Sequence, residues 1–318
     1  MPVHFGVVLQ HFREHASPEA ISVVARAAEE LGYDSVWVMD HAVVPDVPEA
    51  RQFTPLVYDP LLTLAYAAAK TGRIRLGTSV LIVPYRSPLV QAKMLATLDA
   101  LCGGRLIVGV GVGWLPREFE ALGVPFRRRG ALTEEYLEAM RVLWTSEGPA
   151  SFRGPTVNFE DVFCEPKPVQ RPHPPLWIGG GSEAALRRAV RLGAAWHPSS
   201  RYAGVLAEKI EHLRRLAAVE GREPPPVRMR ATLHLLPESD ATTQRGILIG
   251  TPEEVRTSIR AYAAMGVDGF VLDTFYGSPL VERKSPEEVV STLRHFAREV
   301  IPEFRDRSGG SVEHHWVG

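Results

Sequence analysis

Gly179-Gly180-Gly181-Ser182 is the most informative stretch of the 318-residue chain. Three successive glycines let backbone N–H groups approach a ligand, and Ser182 is placed to open a helix whose N-terminus favours negative charge. That arrangement suits a phosphate. The plain alternative is a tight turn followed by an ordinary N-cap. A second cluster, Gly109-x-Gly111-x-Gly113 followed by Trp114, lacks the spacing and the acidic partner of a dinucleotide fingerprint. It offers a flat backbone wall for a planar ligand, or simply close packing at a glycine-rich strand end. Asp40-His41 is the third candidate, because imidazole is the side chain best suited to proton transfer near neutral pH. Asp40, His41 and His197 could instead form a dispersed metal set, although no His-x-His or His-Glu-x-x-His spacing occurs. There is no Gly-x-Ser-x-Gly nucleophile elbow.

These residues must be carried by an ordered scaffold, and the chain reads as eight strand–helix units. Strands are expected at 3–9, 36–39, 74–83, 105–110, 176–178, 194–196, 227–236 and 267–272. Helices are expected at 18–31, 60–70, 88–101, 132–144, 183–191, 203–219, 252–264 and 286–300. Apolar strands alternating with helices imply a parallel sheet, and eight units in this length match a (β/α)8 TIM barrel. Thr251-Pro-Glu-Glu-Val nearly duplicates Ser285-Pro-Glu-Glu-Val, and each copy spells a capping box, with Glu254 and Glu288. Gly32, Gly193 and Gly266 each stand between a helix and the next strand, where a left-handed C-cap is expected. Two segments exceed the repeat, after strands 2 and 4: Ala42 to Asp59, and Glu147 to Pro175 with a candidate hairpin. Long loops of this kind usually serve as lids or binding loops. One domain over 1–304 with a mobile tail over 305–318 is expected. In a barrel the residues directly after each strand form the active site, and all three clusters lie there.

Composition narrows the class. The hydrophobic fraction is 45%, the charged fraction 23% and the formal net charge -1, so the chain is globular and lacks the basic face of a nucleic-acid binder. No apolar run is long enough for a membrane span. Arg13 and Glu14 interrupt any secretory signal, and two cysteines, Cys102 and Cys164, make no disulfide framework. A cytoplasmic location is expected. Lysine stands at five positions only, so 31 of the 36 basic residues are arginine. Most of these, including Arg127-Arg128-Arg129 and Arg187-Arg188, read as solvated helix faces. Arg86 and Arg283 follow strands 3 and 8 and could face an acidic ligand.

The order of motifs resembles the luciferase-like monooxygenase superfamily, within it the coenzyme F420-dependent oxidoreductases. The matching text is Gly32-Tyr33-Asp34-Ser35-Val36-Trp37-Val38-Met39-Asp40-His41, Arg73 to Val80, Gln91 to Asp99, Gly103-Gly104-Arg105, Gly109 to Phe119, and Pro174 to Gly180. The resemblance implies a TIM barrel with insertions and a deazaflavin lying over strand 3. It places a bulge with a non-proline cis peptide at Ser79-Val80, after Thr78. It assigns Thr78, Ser79 and Val80, then Gly111, Val112, Gly113 and Trp114, the Gly179 to Ser182 turn and His197 to cofactor binding. His41, with Asp40, corresponds to the polar pair facing the reactive ring, and His41 is the implied proton donor or acceptor. Two departures are visible. Trp114 stands where F420-dependent sugar-phosphate dehydrogenases carry a catalytic glutamate, and Val112 stands where bacterial luciferase has an arginine on the flavin phosphate. The implied function is hydride transfer between coenzyme F420 and a small organic substrate, in a homodimer or higher homo-oligomer. The alternatives are an FMN-dependent monooxygenase, a metal-dependent TIM-barrel hydrolase and a non-catalytic flavin-binding protein.

Overall fold

The computed structural model of the chain describes residues 2–50, 54–239, 247–275 and 284–305. Eight parallel strands form the barrel: β1 (His4–Val8), β2 (Ser35–Val38), β3 (Arg75–Thr78), β4 (Leu106–Gly111), β5 (Leu176–Gly179), β6 (Ala195–His197), β7 (Val227–Leu235) and β8 (Val267–Asp273). They pair in chain order from β1 to β6, and β8 lies between β1 and β7. The circle closes where Trp196 of β6 pairs with Val227 of β7. A (β/α)8 TIM barrel is therefore the fold, as the eight sequence units imply.

The main helices are α1 (Pro18–Glu30), α2 (Pro60–Ala68), α3 (Pro88–Leu101), α4 (Arg129–Thr145), α5 (Glu183–Leu192), α6 (Leu206–Val219), α7 (Pro252–Met265) and α8 (Pro286–Glu299). Their starts follow local chemistry. Proline occupies the first position of α1, α2, α3, α7 and α8, where its missing N–H has no partner to lose. Both capping boxes form, at Thr251 with Glu254 and at Ser285 with Glu288. Gly32 and Gly266 adopt the left-handed conformation with φ of 79° and 110°. Gly193 does not, contrary to expectation: its backbone is extended, and a Cβ there would lie 2.8 Å from the Ala189 carbonyl oxygen. Space, not handedness, requires that glycine.

Large aromatic side chains fill the barrel below the site. Trp37 lies 4.5 Å from Trp177 between ring centroids, and His197 stacks on Trp37 at 5.5 Å. Gly6 and Gly77 make room for Trp37, since a Cβ at either would fall 2.3 Å from its indole. The first long segment carries a bridge from Val57 to Phe12. The second forms an antiparallel hairpin, Ala150–Arg153 with Asn158–Val162. It connects α4 to β5, so it returns the chain to the N-terminal end of the barrel. Gln170 bonds Asp99 near the end of α3, and Glu135 of α4 accepts from Thr156 and Val157. No residue of 147–175 lines the cleft described below, so this insertion braces α3 and α4 instead of covering the site. A short strand, Leu248–Gly250, runs parallel to the end of β7 and was not expected. Arg305, assigned to the tail, is held by Asp34 at 3.0 Å. Residues 306–318, with His314-His315, lie outside the described residues, as does Arg283. Among the described residues no helix is long and apolar enough to cross a membrane. Both cysteines are buried and free.

Candidate active site

A cleft of about 570 Å³ opens at the C-terminal ends of the strands. Its floor begins with a break in the third strand. β3 stops at Thr78, and Leu81–Ile82 then resumes pairing against Val110 and Gly111 of β4. Ser79 and Val80, joined by the implied cis peptide, lie between the two pieces. The β4 glycines are explained by this bulge. A Cβ at Gly109 would lie 1.8 Å from the Thr78 carbonyl oxygen, and one at Gly111 would lie 2.5 Å from Val80 Cγ2. The Thr78 hydroxyl donates to the Gly109 carbonyl at 2.7 Å, so Thr78 locks the bulge from below and does not reach the cleft. Gly113 has φ of 78° and sits against the Phe119 ring. Close packing is thus what the alternating glycines serve, and the wall of Val80, Gly111, Val112 and Gly113 is its product.

His197 and Arg230 fix the bulge from the other side. His197 Nδ1 faces the Arg228 carbonyl, and Nε2 lies 2.9 Å from Ser79 Oγ. Burial lowers the pKa of this ring, the Arg228 carbonyl offsets part of that, and the charges of Arg230 and Arg228 lower it further, to about 4. The ring is neutral near pH 7. Nδ1 must then carry the proton it gives to the carbonyl, and Nε2 accepts from the Ser79 hydroxyl. The Ser79 oxygen keeps acceptor capacity for a ligand N–H. Arg230 donates to the Ser79 carbonyl at 3.0 Å and pairs with the buried Asp273 of β8.

The far wall combines a glycine turn, a helix N-terminus and arginine side chains. Gly179, Gly180, Gly181 and Ser182 line the cleft and lead into α5. Ser182 Oγ caps the helix through Ala185 N–H at 3.3 Å. Gly180 takes φ of 97°, and Gly181 is crossed by Tyr202, whose ring would lie 2.7 Å from a Cβ there. Arg188 and Arg129 line the same cleft, and so does Arg127. Arg188 is 3% exposed and reaches Glu134 through Nη2, while its Nε is buried without a partner. Arg129 lies over the Phe126 ring, and its Nε too is buried without a partner. The expectation of solvated helix faces holds for Arg127 and Arg128, which are exposed, and for Arg187, which pairs with Glu183; it is corrected for the buried Arg188 and the half-buried Arg129. One signal was readable: Arg188 falls on the buried stripe of α5 with Ala185 and Ala189. Arg230 likewise stood inside an apolar strand. Trp114 is 42% exposed at the cleft margin.

Asp40 and His41 sit beside the cleft and not among its lining residues. Asp40 is buried, accepts from Ile82 N–H at 2.9 Å, and holds Arg86 by two bonds of 2.6 and 2.9 Å. Arg86 also meets Asp59, the N-cap of α2, at 3.0 Å. Burial opposes the Arg86 charge, but the two carboxylates outweigh it and raise the guanidinium pKa. Arg86 is therefore a strut between β2, the turn after β3 and α2, not a cation facing an acidic ligand. His41 Nδ1 lies 2.8 Å from Glu118 Oε2. Glu118 is fully buried on the short helix Pro116–Ala121 and was missed from sequence, where nothing marks its pairing with a residue 77 positions away. Asp40, His41 and His197 thus have three separate sets of partners. Among the described residues no group of three His, Cys, Asp or Glu side chains is arranged to hold a metal ion.

The wider comparisons agree with this geometry. A model of the luciferase-like monooxygenase family matches residues 3–241. The uncharacterized protein Rv0953c of Mycobacterium tuberculosis is 34% identical over 278 residues, covering 82% of this chain and 96% of that one. The FMNH2-dependent dimethylsulfone monooxygenase of Pseudomonas putida is 34% identical over 164 residues, 50% of this chain and 45% of its own. The F420-dependent glucose-6-phosphate dehydrogenase of Kineococcus radiotolerans is 35% identical over 184 residues, 57% of this chain and 52% of its own. Among solved structures, the monooxygenase RslO1 of Streptomyces bottropensis superposes with a TM-score of 0.80 at 26% identity, over 95% of this chain and 99% of that one. The chain belongs to the luciferase-like monooxygenase family.

Proposed function

We propose that this protein is an oxidoreductase that transfers a hydride between coenzyme F420, bound in the cleft, and a small organic substrate. The observation that carries the proposal is the cationic far wall. Arg127 and Arg129, at the start of α4, and Arg188 of α5 line the cleft together with the Gly179 to Ser182 turn. Guanidinium groups gathered on one wall fit a ligand that supplies several anionic oxygens. FMN ends in one phosphate. The F420 side chain continues past its phosphate into an acidic tail, which suits several arginines better.

The residues present fit such a group. Val80 and the β4 glycines give a planar ring a flat support, and Ser79 offers an acceptor oxygen beside it. Gly179 to Ser182 and the α5 N-terminus suit a phosphate. When bound, the deazaflavin supplies a two-electron hydride acceptor or donor at its central ring. The chain itself orients the substrate with Trp114 and Tyr202 and moves a proton through His41. Asp40, held by Ile82 and Arg86, braces the strand end that carries His41 and takes no part in that transfer. Trp114 in place of the dehydrogenase glutamate argues against a sugar phosphate as substrate.

The second reading is an FMN-dependent monooxygenase, favoured by the dimethylsulfone monooxygenase relative. Fluorescence and absorbance titrations of the purified chain with F420 and with FMN separate the two. F420 binding that weakens at least ~10-fold in an Arg127→Ala/Arg129→Ala variant is the expected result, from loss of charge-assisted hydrogen bonds. Binding of FMN alone would replace this reading with the second, and binding of neither would overturn both.

A further inference from the structure

We propose that Glu118 is the positioning residue for His41: it fixes the imidazole as the Nδ1–H tautomer, presents Nε2 as the proton-accepting atom, and stabilises the imidazolium. The inference rests on the proton-transfer role given to His41 above. It stands on the bonding around one buried carboxylate. Glu118 Oε1 accepts from the backbone N–H of Ala42 at 2.7 Å and of Val43 at 3.3 Å. Oε2 accepts from the Tyr85 hydroxyl at 2.8 Å and meets His41 Nδ1 at 2.8 Å.

The direction of each bond can be assigned. Backbone N–H groups only donate, so Oε1 is an acceptor twice over. Burial, and next the Glu118 charge, push the Tyr85 phenol pKa up, so the hydroxyl stays protonated and donates to Oε2. With every other contact of the Glu118 oxygens an accepted bond, His41 Nδ1 is the donor to Oε2. His41 is then an Nδ1–H donor to a carboxylate, and Nε2 carries the lone pair. Proton uptake at Nε2 forms an imidazolium 2.8 Å from a buried negative charge, which favours it. An alcohol substrate would give its O–H proton to Nε2, and a bound deazaflavin would supply the two-electron acceptor for the hydride.

The other charged and titratable groups around His41 do not replace Glu118. Asp40 is neutralised by Arg86. His11 of the β1 end, whose ring feels the His41 charge, is itself held uncharged: burial lowers its pKa to about 4. Tyr85 donates into the same carboxylate.

The arrangement also dictates what an amide would do. In Glu118→Gln, the Ala42 and Val43 N–H groups hold the amide oxygen at the Oε1 position. The amide NH2 then faces His41 Nδ1, which becomes an acceptor, and the ring proton moves to Nε2.

Nitrogen NMR of the full chain with labelled histidine tests this, with the His41 signals assigned through His41→Gln. Wild type at pH ~8 is expected to show Nδ1 protonated and Nε2 bare. Glu118→Gln is expected to invert the tautomer and lower the His41 protonation midpoint by at least about one pH unit. In turnover, Glu118→Gln should lower kcat on the order of 10²-fold with KM within about threefold, and Glu118→Asp should recover part of the loss. A wild-type ring protonated at Nε2 overturns the proposal, as does a Glu118→Gln protein with unchanged tautomer and midpoint. Should Glu118→Gln fail to fold, the wild-type tautomer still decides. Failure to bind F420 or FMN would sink the oxidoreductase reading while leaving the NMR outcome to stand by itself.

Discussion

A carboxylate next to a histidine at the end of a barrel strand has the type for proton transfer, yet at Asp40 the type is outweighed by its partners. Three donated hydrogen bonds occupy the two Asp40 oxygens, from Ile82 and twice from Arg86. Neither Arg86, 46 positions on, nor Glu118 is local to the Asp40-His41 pair, so no motif could announce them. Gly32 and Gly266 were legible for the opposite reason: the left-handed turn they permit is a property of their own backbone. Removing one member of a buried, hydrogen-bonded ion pair leaves the other charge exposed to a poor environment. Asp40→Asn should therefore destabilise the protein by roughly 3 kcal/mol in urea unfolding, without any cofactor present. Combining it with Arg86→Met should cost less than the sum of the single changes, because the stranded charge is gone. Full additivity, or wild-type stability in Asp40→Asn, would show that the pair is no strut.

Elements were readable where hydrophobic period and caps agree, as in α1, α7 and α8, and less so where tertiary contact overrides the local pattern. The third strand reads as one apolar run over 74–83, but the chain leaves the ladder after Thr78 because β4 offers glycine, not side chains, to pack against. A run of apolar residues carries no mark of that exit. α4 likewise begins at Arg129, three residues before its apolar face does, and the Glu118 helix has only six residues. The bulge gives a sharp expectation for β4. Gly109→Ala puts a Cβ at 1.8 Å from a backbone oxygen that cannot rotate away. The variant should either fail to fold or lose at least ~3 kcal/mol, far beyond the ~1 kcal/mol span of strand propensity. A soluble Gly109→Ala protein with unchanged unfolding midpoint would contradict the packing assigned to the bulge.

At the scale of the whole molecule, eight repeated units left little choice of architecture, since a parallel strand set with helices outside closes best at eight. Closure, however, depends on contacts no repeat encodes. His197 is one: it links the end of β6 to the β3 bulge and to β7. His11 is another, with Nδ1 on the Leu9 carbonyl and Nε2 accepting from Met39 N–H at 2.9 Å, so it joins β1 to β2. Both rings are buried and neutral, with pKa values lowered mainly by burial to about 4 from an unfolded value of 6.5. Protonation adds a hydrogen to Nε2: at His11 it removes the bond that Met39 N–H donates, and at His197 it places a buried charge near Arg230 and Arg228 while the Ser79 hydroxyl turns to accept. Because the folded pKa lies below the unfolded one, the unfolded chain binds more protons between these values. The stabilising contribution is complete above pH 6.5, falls as pH drops from about 6.5 to about 4, and then levels off. With about 1.36 kcal/mol per pH unit, each ring contributes roughly 3 kcal/mol at neutral pH. Unfolding at about pH 5.5 should add nearly two protons to these rings, read from calorimetry in buffers of different ionisation enthalpy. Stability that stays flat between about pH 7 and 5 would refute the neutral-histidine closure. A His197→Gln variant that keeps the full wild-type slope would move the effect away from the β6–β7 seam.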